Sequence, residues 1–149
     1  MRSVKHVKEP EFRYFRMKAD ERMRLLDRLR KSLKEIDSIV FAYVHGGFIE
    51  LDSFRDLDVA VWVKDPQNAF QYAVDLSAKI GIRIGVPTDI HVLNKAPLPF
   101  RYHVFVRGKL LLSKDEDSRL KALDTTSREY FDLKGLRAIN GSFESEKHA

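Results

Sequence analysis

Cysteine is missing from the 149-residue chain, which removes disulfides, zinc–thiolate centres, iron–sulfur clusters and thiol catalysis. Long apolar runs are missing too, since none approaches the roughly 20 residues that a membrane-spanning helix needs. Met1-Arg2-Ser3-Val4-Lys5 leads into charge rather than into the apolar segment of a signal peptide. The expected location is the cytoplasm, with no membrane as a partner. Glycine and proline number only 7 and 5, and no linker, low-complexity tract or internal repeat divides the chain. What is present is 44% apolar and 33% charged residues, the balance of a globular domain with a core of its own.

The net charge of +5 is uneven. Residues 1–34 carry twelve Lys/Arg against five Asp/Glu, or +7, leaving −2 for the rest. Such a segment can attract nucleic acid, but a solvated helix face is the commoner arrangement, and nucleic acid is not expected as a partner.

Residues 1–17 read as irregular. Met23, Leu26, Leu29, Leu33 and Ile36 then fall at helical spacing within about 20–36. Ile39 to Val44 is a short apolar run of buried-strand type, broken by His45-Gly46-Gly47, and Leu57 to Val63 alternates as a second strand. Asp65-Pro66 opens a helix with Ala69, Phe70, Ala73, Val74 and Ile80 inward, ending at Gly81. A third strand lies at Thr88–Leu93, a short helix at Pro97–Val106 and a short apolar strand at 108–112. The last helix spans about 115–138, with Leu120, Leu123, Tyr130, Phe131, Leu133 and Leu136 as candidate core. Two consecutive strands joined by a loop, followed by a helix and another strand, imply an α+β fold: a small mixed sheet with helices over one face.

Three features carry chemistry. Gly46-Gly47 follows a buried strand, where bare backbone and its N–H groups can approach phosphate oxygens. Alone, such a pair is usually a turn. Asp56 and Asp58 are two apart at the head of a strand, so both carboxylates point to one face. Like charges so close call for a cation, and oxygen ligands suit Mg²⁺ or Mn²⁺, although an isolated Asp-x-Asp is more often a half-exposed strand. Asp89 sits in the third strand, and if that strand lies beside Leu57–Val63 it reaches the same face. Three carboxylates about two metal ions equip a site for in-line phosphoryl or nucleotidyl displacement.

Two further readings compete. His45-Gly46-Gly47 would suit an esterase oxyanion loop, but no Gly-x-Ser-x-Gly elbow accompanies it. His91 and His103 with Asp89 would make a transition-metal site, although lone histidines are more often structural. Arg101 and Arg107 read as solvated or ion-paired, and Trp62, Phe70 and Tyr102 as core or rim.

The run Phe41 to Val63, with Gly46-Gly47 and then Asp56-Leu57-Asp58 on a strand, resembles the signature of the polymerase-β-like nucleotidyltransferases. More narrowly it is similar to the minimal nucleotidyltransferases (MNT), antitoxin partners of HEPN-domain toxins. Asp89 to Pro97, Arg101 to Leu111 and Tyr130-Phe131-Asp132-Leu133 extend the likeness over about 38–137. The resemblance implies a nucleotidyltransferase domain at 38–138; composition makes 1–37 a basic extension and helix before it and 139–149 a disordered tail after it. It makes Gly46 and Gly47 the triphosphate-binding turn and Asp56 and Asp58 ligands shared by two Mg²⁺ ions. Asp89 becomes the third carboxylate, able to accept the acceptor's proton. Family members commonly have Ser at the position of Gly47, a second glycine near Glu50-Leu51 and Ser at the position of Arg55, where an arginine can itself bind phosphate. The function implied is Mg²⁺-dependent transfer of a nucleoside monophosphate, AMP from ATP, to a hydroxyl of a HEPN-type toxin. The alternative is a catalytically degenerate protein of the same fold that neutralises such a partner by contact.

Overall fold

The computed structural model describes residues 14–148; residues 1–13, part of the segment expected to be irregular and of the basic leader, lie outside them. Along the chain run β1 (Phe15–Arg16), α1 (Ala19–Lys34), β2 (Ile39–His45), α2 (Gly47–Glu50), β3 (Ser53–Phe54), β4 (Leu57–Val63), α3 (Ala69–Ile84), β5 (Thr88–Val92), a 3₁₀ turn (Leu93–Lys95), α4 (Leu98–Arg107), β6 (Lys109–Ser113) and α5 (Glu116–His148). The four-stranded sheet has the order β5-β4-β2-β6. β2 is antiparallel to both β4 and β6, whereas β4 and β5 are parallel and need the crossover that α3 provides. Phe15–Arg16 is not irregular, because it pairs with Ser53–Phe54 in a separate two-stranded ribbon.

Helices cover both faces of the sheet, not the single face expected. Leu57, Val59, Val61 and Val63 of β4 meet Leu25, Leu26, Leu29 and Leu33 of α1 and Leu76, Ile80 and Ile84 of α3. On the opposite face Phe41, Tyr43 and Ala60 pack with Val104 and Phe105 of α4 and Ala122 of α5. The period of two explains the split: odd positions of β4 serve one helix layer and even positions the other. Asp58, an even position, therefore belongs to the α4 side.

Several helix residues expected in the core are exposed. Met23, Phe70, Val74, Leu120, Phe131 and Leu136 all face out. At 100° per residue, Met23 lies about 120° from Leu29, and Phe70 and Val74 about 80° and 120° from Ile80, outside the buried stripes. α3 also passes through Gly81. That glycine faces β5, where a Cβ would stand 3.6 Å from the Thr88 amide, and the helix stops at Gly85, whose φ of 77° closes it. α5 continues to His148, through the segment expected to be a disordered tail. No proline follows, and one glycine weakens a helix by only about 1 kcal/mol.

Candidate active site

The site forms where β2 ends and β4 and β5 begin. Backbone register puts His45 opposite Asp58 and Asp58 beside Asp89, so three side chains of adjacent strands share one face. Asp56 lies two residues before Asp58 and is half-buried, as Asp58 is, while Asp89 and Arg55 are exposed. β5 is the sheet edge, yet it is held firmly: Ile90 N–H donates to Ser77 Oγ at 2.9 Å, and Leu57 N–H to the Pro87 carbonyl at 2.9 Å. Past the end of β5 the Asn94 amide bonds both the N–H and the carbonyl of Val63, each at 2.9 Å.

Gly46 links β2 to this cluster with φ 75° and ψ −152°, a conformation that is essentially confined to glycine. A Cβ on Gly46 would also collide with the Asp58 carboxylate. Gly47 is different. It opens α2, its φ is ordinary, and a Cβ there would meet only Leu51 Cδ1 at 3.6 Å. The amides of Ile49 and Glu50 donate to the Gly46 carbonyl at 3.0 Å and 3.1 Å, so those of Gly47 and Phe48 are the ones that suit phosphate oxygens.

Sequence reasoning missed Arg22. Its guanidinium donates to the carbonyls of Phe48 (2.6 Å), Leu51 (3.3 Å), Asp52 (2.6 Å) and Met17 (3.2 Å). It also lies 5.0 Å and 5.3 Å from the Phe48 and Phe54 ring centroids. Arg22 thus fastens α1 to the end of α2 and the loop after it. The signal was there: position 22 lies about 20° from Leu29 on the helical wheel, within the apolar stripe.

Electrostatics set Asp58 apart. Burial, then the charges of Asp56 and Asp89, push its carboxyl from 3.8 up to about 6, against the opposing pull of His91 and Arg55. His45 is buried, its Nε2 has no hydrogen-bond partner among the described residues, and burial foremost pushes it down to about 4. Phe100 packs edge-on against its ring at 5.4 Å. The structure brings His91 into the cluster, with Nε2 3.1 Å from Asp89 Oδ2. Ligand atoms of Asp58, Asp89 and His91 lie within 4.8 Å of one another. His103 is exposed on α4 and is not in this group. The donor set fits a divalent cation, whose charge would reverse the repulsion that raises Asp58.

An apolar cleft of about 460 Å³ opens beside His91, between the starts of α3 and α4, with Phe70, Ala73, Lys95 and Phe100 in its walls. Arg101 pairs with Glu129 at 3.4 Å, away from the carboxylates, and Trp62 stacks on Phe41 at 5.4 Å in the core.

A mixed sheet with carboxylates on adjoining strands beside a glycine turn defines a nucleotidyltransferase fold. The polymerase beta nucleotidyltransferase family matches residues 27–117, more than half of the chain, and the protein belongs to that family. Its members normally use a divalent metal ion, and the Asp-Asp-His group is able to hold one. Solved structures share the fold. A chain of the complex between a tri-AMPylated Shewanella oneidensis HEPN toxin and an MNT antitoxin is 22% identical, with TM-score 0.64 over 82% of this chain and 98% of that one. A chain of the toxin–antitoxin MntA–HepT is 22% identical, with TM-score 0.63 over 81% and 97%. A toxin–antitoxin structure with AMP-PNP gives 22% identity and TM-score 0.60 over 85% and 98%. No curated protein matches the sequence. No helix among the described residues is long and apolar enough to cross a membrane.

Proposed function

We propose that this protein transfers AMP from ATP to a hydroxyl group of a HEPN-type partner protein in the cytoplasm, acting as its antitoxin. The observation that carries this reading is the register of β4 and β5, which sets Asp58 beside Asp89 and next to the Gly46 turn. Asp56 and Asp58 hold the metal, Asp89 joins them, and Gly46, Gly47 and Arg55 bind the triphosphate. Two Mg²⁺ ions, or Mn²⁺ in their place, would neutralise triphosphate charge and stabilise the charge developing on the α-phosphate.

In-line displacement sets the acceptor opposite the leaving pyrophosphate. With the triphosphate tail at the Gly46–Gly47 turn on β2, the acceptor enters from beyond β5, where the cleft beside His91 opens. An apolar cleft suits the ring of a tyrosine better than a polar chain. The acceptor oxygen bonds the α-phosphorus, the bond to the β-phosphate oxygen breaks, and the acceptor proton passes to Asp89. The fold shared with a chain from a complex containing a tri-AMPylated HEPN toxin supports this choice of acceptor.

Incubated with ATP, Mg²⁺ and a HEPN-type partner protein, the chain should raise the partner's mass by one or more AMP units. Asp56→Ala and Asp58→Ala should leave the mass unchanged. Gly47, which offers no hydroxyl to phosphate, favours a second reading as a contact-only antitoxin. A partner that binds tightly and stays unmodified with every nucleotide would establish that reading and remove ours.

A further inference from the structure

We propose that His91 is a metal ligand, completing with Asp58 and Asp89 a mixed oxygen–nitrogen site that takes Mn²⁺ or a similar first-row divalent ion in preference to Mg²⁺. The inference rests on the nucleotidyltransferase reading above and deepens it. β5 alternates, so Asp89 and His91 share a face while Ile90 and Val92 enter the core. His91 Nε2 and Asp89 Oδ2 are 3.1 Å apart, close to the roughly 3 Å edge between neighbouring ligands of an octahedral ion at 2.0–2.2 Å. Asp58 completes the set within 4.8 Å.

A second observation points the same way. The imidazole of His91 is not a loose surface group, for the rings of Phe100 and His45 lie 5.3 Å and 5.7 Å from it. His45 itself is 7% exposed, and its Nε2 has no hydrogen-bond partner among the described residues. Two imidazoles thus stand beside the carboxylates, His91 in contact with Asp89 and His45 buried with its ring 5.7 Å from that of His91. Mg²⁺ is a hard ion that takes oxygen ligands and retains water, whereas first-row transition ions bind imidazole more readily, Fe²⁺, Ni²⁺ and Zn²⁺ above all and Mn²⁺ the least of them. A purely carboxylate site would leave the choice to availability. An imidazole ligand biases it.

The test uses the full chain and Mn²⁺ alone as probe, followed by electron paramagnetic resonance. The wild type should bind Mn²⁺ with the electron spin-echo modulation of a directly bound ¹⁴N, and Mg²⁺ should displace it only at about tenfold or greater excess. His91→Ala should lose the modulation and most of that preference while Mg²⁺ binding changes little. His91→Gln, which keeps a polar side chain, should behave like the alanine variant. Mn²⁺ bound without ¹⁴N modulation, or modulation that persists in both variants, overturns the assignment. If wild type shows no ¹⁴N signal yet still modifies its partner, this inference alone fails. If the signal is present and no partner is ever modified, the transfer reading fails and the metal site stands.

Discussion

Replacing Asp58 with Asn should make the metal-free protein more stable and at the same time abolish its response to metal and nucleotide. The rise of the carboxyl from 3.8 to about 6 corresponds to roughly 3 kcal/mol, at about 1.4 kcal/mol per pH unit. Asp58 is only half-buried, so screening by solvent lowers this to about 1–2 kcal/mol. The sign follows from proton binding. The folded protein holds the Asp58 proton more tightly than the unfolded chain, so the destabilisation is absent below about pH 4 and complete above about pH 6. Thermal unfolding in EDTA at pH 7.5 should therefore place Asp58→Asn a few degrees above wild type, at about 2–4 °C per kcal/mol for a chain of this size. The gap should close as the pH is lowered towards 4. With Mn²⁺ and a non-hydrolysable ATP analogue at about 100 times the dissociation constant, wild type should gain about 2.7 kcal/mol by mass action and overtake the variant. If Asp58→Asn is less stable than wild type in EDTA at pH 7.5, the carboxylate is not electrostatically stressed.

Other substitutions separate the parts of the site. Gly46→Ala should lose about 1–3 kcal/mol of stability, from its positive φ, and lose metal-dependent nucleotide binding as well; chemical denaturation and calorimetric titration read the two effects. Gly47→Ser has room for its side chain and should tighten triphosphate binding by about 0.5–1.5 kcal/mol, the worth of one hydrogen bond, so weaker binding would show that no phosphate lies near. Arg22→Ala leaves the carbonyls of Phe48, Leu51 and Asp52 without their donor and should lower stability by about 1–3 kcal/mol. It should also raise KM for the triphosphate more than it lowers kcat, with partial recovery in millimolar guanidinium.

The strands and the cluster of carboxylates were legible because a period of two is short and unambiguous. Leu57, Val59, Val61 and Val63 declare one face of β4, and that alone assigns Asp58 to the other. Asp89 follows once β5 is the neighbour of β4, a pairing the crossover through α3 makes natural. The helices were less legible. α5 carries apolar residues around its circumference, so spacing could not separate Ala122 and Thr126, which are buried, from Leu120 and Phe131, which are not. Gly81 read as a stop, yet the helix runs on to Ile84 and is closed by Gly85 at φ 77°, and spacing alone does not tell which of the two glycines takes the left-handed conformation. Arg22 read as one more solvated cation of a basic segment, since nothing local reveals that its partners are carbonyls 26–30 residues away.

The choice between a working site and a contact-only scaffold turns on Asp58 and Gly46 taken together. Asp58 stands where its charge is disfavoured by burial and by two neighbouring carboxylates. Gly46 adopts a conformation that strains any side chain, and its missing Cβ is the space the Asp58 carboxylate occupies. A scaffold needs neither feature. Asn at 58 would relieve the repulsion, and a protein that acts by its outer surface gains nothing from keeping a stressed, half-buried anion. A cation and a triphosphate explain both, since the ion turns the repulsion into ligation and the bare turn lets phosphate approach. Proteins keep such destabilising arrangements where activity needs them. Gly47, by contrast, is sterically undemanding, and an absent hydroxyl there bears on how tightly the nucleotide is held rather than on whether the metal is.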